Sequence, residues 1–262
     1  MSWFEVIALI IAGVVVGIIN TLAGGGSIIS LPLLMLFGLP ADVANGTNRI
    51  AVLLQNITSV SVFSRKKVLD WKKGRWLAIP AAVGAVAGAW IAVDVNKNVI
   101  EKSIAVVMLI MVFFILYKPQ RWLKEKKELL EKKINVLQVI IFFLIGLYGG
   151  FIQAGVGYFL LAGLVLSAGY ELVKANALKV LIVLLFTPFA LVIFILHHQV
   201  NWMYGLILGV GSLIGGFMAS RMAVSWGANF IRWAVVIIIL ITAAHIFGLI
   251  NLNGVVQLLG KH

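Results

Sequence analysis

A chain of 262 residues with 62% hydrophobic and 11% charged residues falls well short of the roughly 25% charge of a soluble domain; its mean hydropathy is +1.10. As a water-soluble enzyme or binding module it would leave most of its apolar surface in water, which excludes that class. The net charge of +12 does not mark a nucleic-acid partner, because Lys and Arg gather at the ends of apolar runs, where membrane orientation requires them.

Apolar runs of about 20 residues recur along the chain, the length of a membrane-spanning helix. The first covers about 3–19, and the only charge ahead of its residues 6–19 is Glu5, not the basic region of a signal peptide. Ala23-Gly24-Gly25-Gly26 interrupts it, and a shorter apolar piece runs over about 27–37. Each glycine lowers helix stability by about 1 kcal/mol against alanine. Irregular backbone at membrane depth survives only where protein or a water-filled cavity surrounds it. The spacing therefore predicts two short helices meeting at a loop inside the membrane. Leu39 to Asp42 forms a turn, and a helix over about 43–64 begins with a polar half: Asn45, Thr47, Asn48, Arg49, then Gln55 and Asn56. A basic loop at 64–75 follows, then helices at about 75–93 and 99–117 around a turn at 94–98.

The segment 118–133 holds seven Lys or Arg and three Glu, a solvated linker. After it the order repeats: a piece at about 134–152, a loop from Gln153 to Gly157, a short piece to about Ser167, then helices at about 172–196, 201–222 and 229–250. The repeat has a constant offset of 131 residues (154 − 23). It carries Ala23, Gly24 and Gly26 onto Ala154, Gly155 and Gly157, Gly38 onto Gly169, Asn45 onto Asn176, and Trp71 onto Trp202. The offset is half of 262, so the chain is two copies of one unit: 1–117, the linker 118–133, and 134–262.

Orientation follows from Lys and Arg placement. With the loops at 64–75 and 118–133 on the cytoplasmic face, both termini lie outside, and 17 of the 21 Lys and Arg fall at or near the inner face. The basic loop 64–75 then corresponds to the uncharged loop 195–201 on the opposite side. The copies are inverted, the architecture of many secondary transporters. The predicted fold is an all-α polytopic membrane protein of two inverted repeats, each a glycine-broken short-helix hairpin plus three transmembrane helices.

Helix N-termini attract anions. The short pieces starting near Ser27 and Tyr158 both begin beside a glycine loop, so they point at one shared midplane site. The expected solute-binding residues are Ala23, Gly24, Gly25, Gly26, Ser27, Asn45, Thr47, Asn48 and Arg49 from the first copy. Ala154, Gly155, Gly157, Asn176 and Lys179 come from the second. Arg49 is the sharpest: an intramembrane arginine with no acidic residue nearby on its helix except Asp42 suits an anionic solute in a cavity, or else snorkels to the outer interface. Lys179, aligned with Asn48, lines the site or snorkels to the cytoplasm. The asparagines bind solute or bond helix to helix. Pairs such as Gly13/Gly17, Gly84/Gly88 and Gly211/Gly215 read as helix packing.

The glycine stretches lack the Lys and Ser/Thr of a phosphate loop and the third glycine of a dinucleotide fingerprint, and HExxH and GxSxG do not occur. With no cysteine for a thiolate site, no cofactor or metal is expected. An intramembrane enzyme has only Ser27 and the distant His245 to draw on, and an anion channel using the same site is the other alternative to a carrier.

NTLAGGGS, LP, GLP and ANGTNR in the first half, with GGFIQAGVG and ANALKV in the second, resemble the sulfite exporter TauE/SafE family, also called the toluene-sulfonate uptake permease family. The resemblance covers essentially the whole chain. It implies a multi-pass permease of the cytoplasmic membrane that moves sulfite, a sulfonate or another small organic anion, with a proton or sodium as candidate coupling ion. The solute, the direction of transport and the oligomeric state are not implied.

Overall fold

The structure is a computed structural model that describes residues 3–95, 99 and 134–246, those at 4 and 227–246 in backbone only. Apart from residue 99, the predicted helix at 99–117 and the linker at 118–133 lie outside the described residues. Within them every regular element is helical. In the first half these are α1 (Trp3–Leu22), α2 (Ser27–Leu36), α3 (Ala41–Arg65) and α4 (Trp71–Asp94). In the second they are α5 (Val136–Phe151), α6 (Val156–Ala162) continued by a π-turn at Gly163–Ser167, α7 (Leu172–Leu196) and α8 (Trp202–Ile246).

Four helices are long and apolar enough to cross a membrane: α1, α4, α7 and the Trp202–Trp226 part of α8. Their outward faces are apolar. Trp3, Ile7, Ile11 and Val15 on α1 are exposed, and their spacing of four places them on one helical stripe. In a bilayer that stripe faces lipid, so exposure costs nothing. α3, at 25 residues, is about 38 Å long but too polar to read as a span by composition. Its polar residues point inward: Asn45, Thr47, Asn48, Arg49, Gln55, Asn56 and Ser59 are all buried. α3 and α7 pack together at the centre, with α8 on α3 and α4 on α7.

Two long seams close the outside, α1 on α8 and α4 on α5. Both rest on small residues. A Cβ at Gly13 would stand 2.4 Å from Leu208 O, and one at Gly211 2.1 Å from Ile10 O. Across the other seam a Cβ at Gly84 would stand 2.1 Å from Phe143 O, and one at Gly146 2.0 Å from Ala81 O. Bare backbones touch, which is how helices gain contact where lipid gives no hydrophobic drive. Exchanging the halves turns each seam into the other, and the α3–α8 packing into α7–α4.

One boundary differs from expectation. The sequence predicts helices at 201–222 and 229–250, whereas α8 runs unbroken from Trp202 to Ile246. The stretch between contains Gly227 but no proline. One glycine costs a helix only about 1 kcal/mol, and without a proline every residue of the stretch keeps the backbone N–H that continues the helix.

Candidate functional site

Both predicted breaks are present. α1 ends at Leu22, and the N–H groups of Ala23 and Gly24 both bond Ile19 O. Gly24 then turns with φ +89°, a conformation glycine reaches without a Cβ penalty. Asn20 Oδ1 accepts from Gly26 N–H at 2.9 Å. In the second half the chain leaves helix after Phe151, Gly155 turns with φ +71° before α6, and the Tyr148 hydroxyl donates to Ala154 O. The two breaks touch: a Cβ at Gly24 would lie 2.3 Å from Gly157 Cα, and one at Gly157 2.3 Å from Gly24 Cα.

A cavity of about 20 Å³ lies beside this contact. Its polar walls are Asn20, Ser27, Gln55, Asn56, Gln153 and Lys179; Gly24 and Gly157 also line it. The volume suits a water-sized occupant. Gln55 Nε2 donates to Thr21 Oγ1 at 3.1 Å and Gln153 Nε2 to Thr187 Oγ1 at 3.2 Å, while both Oε1 atoms are buried without a partner. Rotating either amide by half a turn offers Nε2 to the cavity and Oε1 to the threonine hydroxyl, so these walls can present a donor or an acceptor.

The two buried cations are placed differently. Lys179 Nζ donates to Asn20 O at 2.9 Å and Thr21 O at 2.8 Å, at the end of α1, and the residue lines the cavity. Arg49 does not line it. Its Nη1 donates to Gly149 O at 3.1 Å and its Nη2 to Gly150 O at 2.5 Å, near the end of α5. The guanidinium lies 4.4 Å from the centroid of the Phe194 ring, a cation–π contact. Helix C-termini carry partial negative charge and unpaired carbonyls, which explains why each cation has a helix end as its partner. Arg49 is 0% exposed and Lys179 2%, so neither snorkels.

The remaining predicted residues hold the scaffold. Asn45 Nδ2 donates to Phe151 O at 2.8 Å. Thr47 Oγ1 accepts from Asn201 N–H at 2.9 Å, ahead of α8. Asn48 ties α3 to α2 by donating to Ser27 Oγ at 3.0 Å and accepting from Ser30 Oγ at 2.6 Å. Gly25 gives room to the Tyr158 ring; Ala23 and Ala154 are buried. Asn176 is buried with neither amide atom partnered. In α2 the N–H groups of Ile28, Ile29 and Ser30 bond Gly25 or Gly26 carbonyls, so much of its N-terminus is already occupied. Of the predicted set, Gly24, Ser27, Gly157 and Lys179 meet at the cavity.

Asn20 and Gln153 were not among the predicted residues, and Gln55 and Asn56 were read only as part of the polar helix over 43–64. Asn20 stands opposite Phe151 in the repeat, and Gln153 opposite Leu22. Matching the copies by identity passes over positions where only one is polar. The side chain of His245 lies outside the described residues.

A family model described as Sulfite exporter TauE/SafE matches residues 9–246. The chain belongs to this family. Among the relatives of this TauE/SafE protein is "Probable membrane transporter protein ORF9" of Sinorhizobium sp, 27% identical over 230 residues, 88% of this chain and 87% of the relative. "Probable membrane transporter protein" of Haemophilus influenzae is 26% identical over 225 residues, 86% of this chain and 88% of the relative. "Probable membrane transporter protein YfcA" of Escherichia coli K12 is 27% identical over 230 residues, 87% and 84% of the two chains. No solved structure matches. With its apolar helices, this TauE/SafE protein is a multi-pass membrane transporter.

Proposed function

We propose that the chain is a secondary carrier of a small anion, a sulfur oxyanion or sulfonate, which binds beside Lys179 between two inverted halves. The observation that carries this reading is Lys179, a cation-forming side chain in the wall of a cavity whose other polar walls are uncharged. A buried positive charge without a carboxylate is costly unless something negative joins it. The anion comes from this geometry; sulfur comes from the family description alone.

A two-fold relation between the halves is supported by the exchange of packing partners and by the meeting of the two glycine breaks; inversion is supported by the placement of Lys and Arg. The halves are 1–117 and 134–262, joined by 118–133. Lys66, Lys67 and Lys72 are exposed in the basic loop, which supports a cytoplasmic position for that loop at the cell membrane and an outward N-terminus; the unbroken α8 removes the return span on which an outward C-terminus rested. The solute contacts are Gly24, Ser27, Gly157 and Lys179, with Asn20, Gln55, Asn56 and Gln153. Ala23, Gly25, Gly26, Asn45, Thr47, Asn48, Arg49, Ala154, Gly155 and Asn176 shape the breaks and hold the helices around them. A cavity of about 20 Å³ is too small for a sulfonate, so the halves must part to admit one. That favours a carrier that alternates over an open channel.

The test is uptake of radiolabelled sulfite into vesicles containing the purified protein. Saturable uptake is expected, falling to the level of protein-free vesicles in Lys179→Met. Uptake that does not saturate would mark a channel, and saturable uptake untouched by Lys179→Met would remove the lysine from the site.

A further inference from the structure

Lys179 has a donor count that matters. An ammonium carries three N–H donors and accepts nothing; a neutral amine carries two and a lone pair. Nζ has two protein acceptors, Asn20 O at 2.9 Å and Thr21 O at 2.8 Å; both are uncharged carbonyls, so nothing anionic in the lining balances an ammonium, which favours the neutral amine while the site is empty. The third donor of an ammonium is left for whatever occupies the cavity. Among the described residues, Lys179 is the one titratable residue lining that cavity, and no acidic residue lines it.

Titratable groups on the neighbouring elements face elsewhere. Arg49 on α3 is held by the Gly149 and Gly150 carbonyls, Tyr148 on α5 by Ala154 O, and Tyr158 on α6 lies against Gly25. α1, α2, α4 and the described side chains of α8 place none in the lining.

Resting on the anion-carrier reading above, we infer that Lys179 is uncharged while the site is empty and takes up a proton as the anion binds, so that one proton crosses with each anion. The Nζ lone pair takes a proton from water on the side the anion enters. A third N–H bond forms and donates to the anion. On the far side the anion leaves and the proton returns to water. For a monoanion the loaded site is neutral overall, which removes the cost of moving a lone charge through a low-dielectric interior. Sodium has no acidic residue in the lining to hold it and would sit beside the lysine, so the coupling ion is the proton.

The experiment uses vesicles of the full chain with a pH-sensitive dye inside and the membrane voltage clamped. The probe is isethionate, a sulfonate that carries no titratable proton near neutral pH, so acidification can come only from the protein. The expected result is internal acidification in step with isethionate uptake and no response of the rate to voltage. Lys179→Arg, permanently charged, is expected to exchange isethionate across the membrane while losing acidifying net uptake, a split that a structural role would not produce. Isethionate uptake that is voltage-driven and leaves internal pH unchanged overturns the proton and leaves the carrier standing. Absence of movement of both isethionate and sulfite overturns the carrier and the proton with it. Independently, in protein labelled with 15Nζ-lysine, the resonance lost in Lys179→Arg is expected at the neutral-amine position without anion and at the ammonium position with sulfite. An ammonium position in the anion-free protein overturns the inference.

Discussion

α3 and α7 occupy equivalent places in the two halves, and each sends one long cationic side chain across to the other half. Arg49 of α3 reaches the end of α5, and Lys179 of α7 reaches the end of α1. The resemblance stops there. A guanidinium is a rigid fork that matches two adjacent carbonyls, and it stacks on an aromatic face; Arg49 does both, which leaves it closed in by protein. An ammonium is a compact point with one donor to spare, and Lys179 sits on the cavity wall. What sets the two apart is not burial, which they share, nor how fully backbone satisfies them, since Arg49 Nε also lacks a partner, but where each sits: Lys179 lines the cavity and Arg49 does not.

The sharpest way to break this comparison is to delete both cations in turn. Arg49→Met leaves Gly149 O and Gly150 O buried without a donor, at about 1–3 kcal/mol for each orphaned group. We expect a loss of about 3–5 kcal/mol, read as earlier thermal unfolding of the purified protein in detergent. Arg49→Lys, shorter and without the guanidinium fork that spans the two carbonyls, should lose about half as much. Lys179→Met should lose no more than about 1 kcal/mol, because cavity water can bond Asn20 O and Thr21 O. Equal losses at the two positions would erase the distinction between clamp and site.

The sequence made most of the scaffold readable. The breaks at Gly24 and Gly155 were visible because glycines gather where an apolar run should continue, and the 131-residue offset showed that they correspond. α3 begins and ends within two residues of the predicted 43–64. The side-chain partners were not readable. Periodicity tells which face a residue occupies, not which helix lies opposite, so Arg49 stood out as an unpaired charge although its partners are backbone carbonyls 100 residues away. Lys179 stood open between lining the site and snorkelling, because nothing nearby in sequence shows that Asn20 folds against it. Carbonyls have no letter in the sequence, and they decide both cases.

The contact between the two breaks gives the next largest effect. Gly24→Ala would force φ +89° on a residue with a Cβ and drive that Cβ to 2.3 Å from Gly157 Cα. Left-handed backbone costs about 1–2 kcal/mol, and a rigid backbone clash adds to it; we expect about 3 kcal/mol. Gly38→Ala is the matched control, with φ +88° and nothing within 4 Å. It should lose about 1 kcal/mol from backbone strain alone. If the two alanines unfold at the same temperature, the breaks do not press on each other.

The smallest effect sharpens the comparison most finely, because it asks whether the halves are unlike only in this conformation. Asn45 and Asn176 are the same residue in the repeat. Asn45 donates to Phe151 O; the counterpart of Phe151 is Asn20, whose carbonyl is held by Lys179. Asn176 is left with both amide atoms buried and unpartnered. Asn45→Ala should therefore lose about 1 kcal/mol, one net hydrogen bond. Asn176→Leu, similar in size and apolar, should be neutral or stabilising, since replacing an unsatisfied polar group removes a penalty. A transporter does not stay in one conformation, however. In a state where Lys179 lets go of Asn20, the repeat makes Asn176 the amide expected to take that carbonyl, as Asn45 takes Phe151 now. Asn176→Leu is accordingly expected to keep its unfolding temperature and to slow sulfite uptake. Destabilisation equal to that of Asn45→Ala would mean that Asn176 already has a partner in the resting protein, and the asymmetry between the halves would lose its basis.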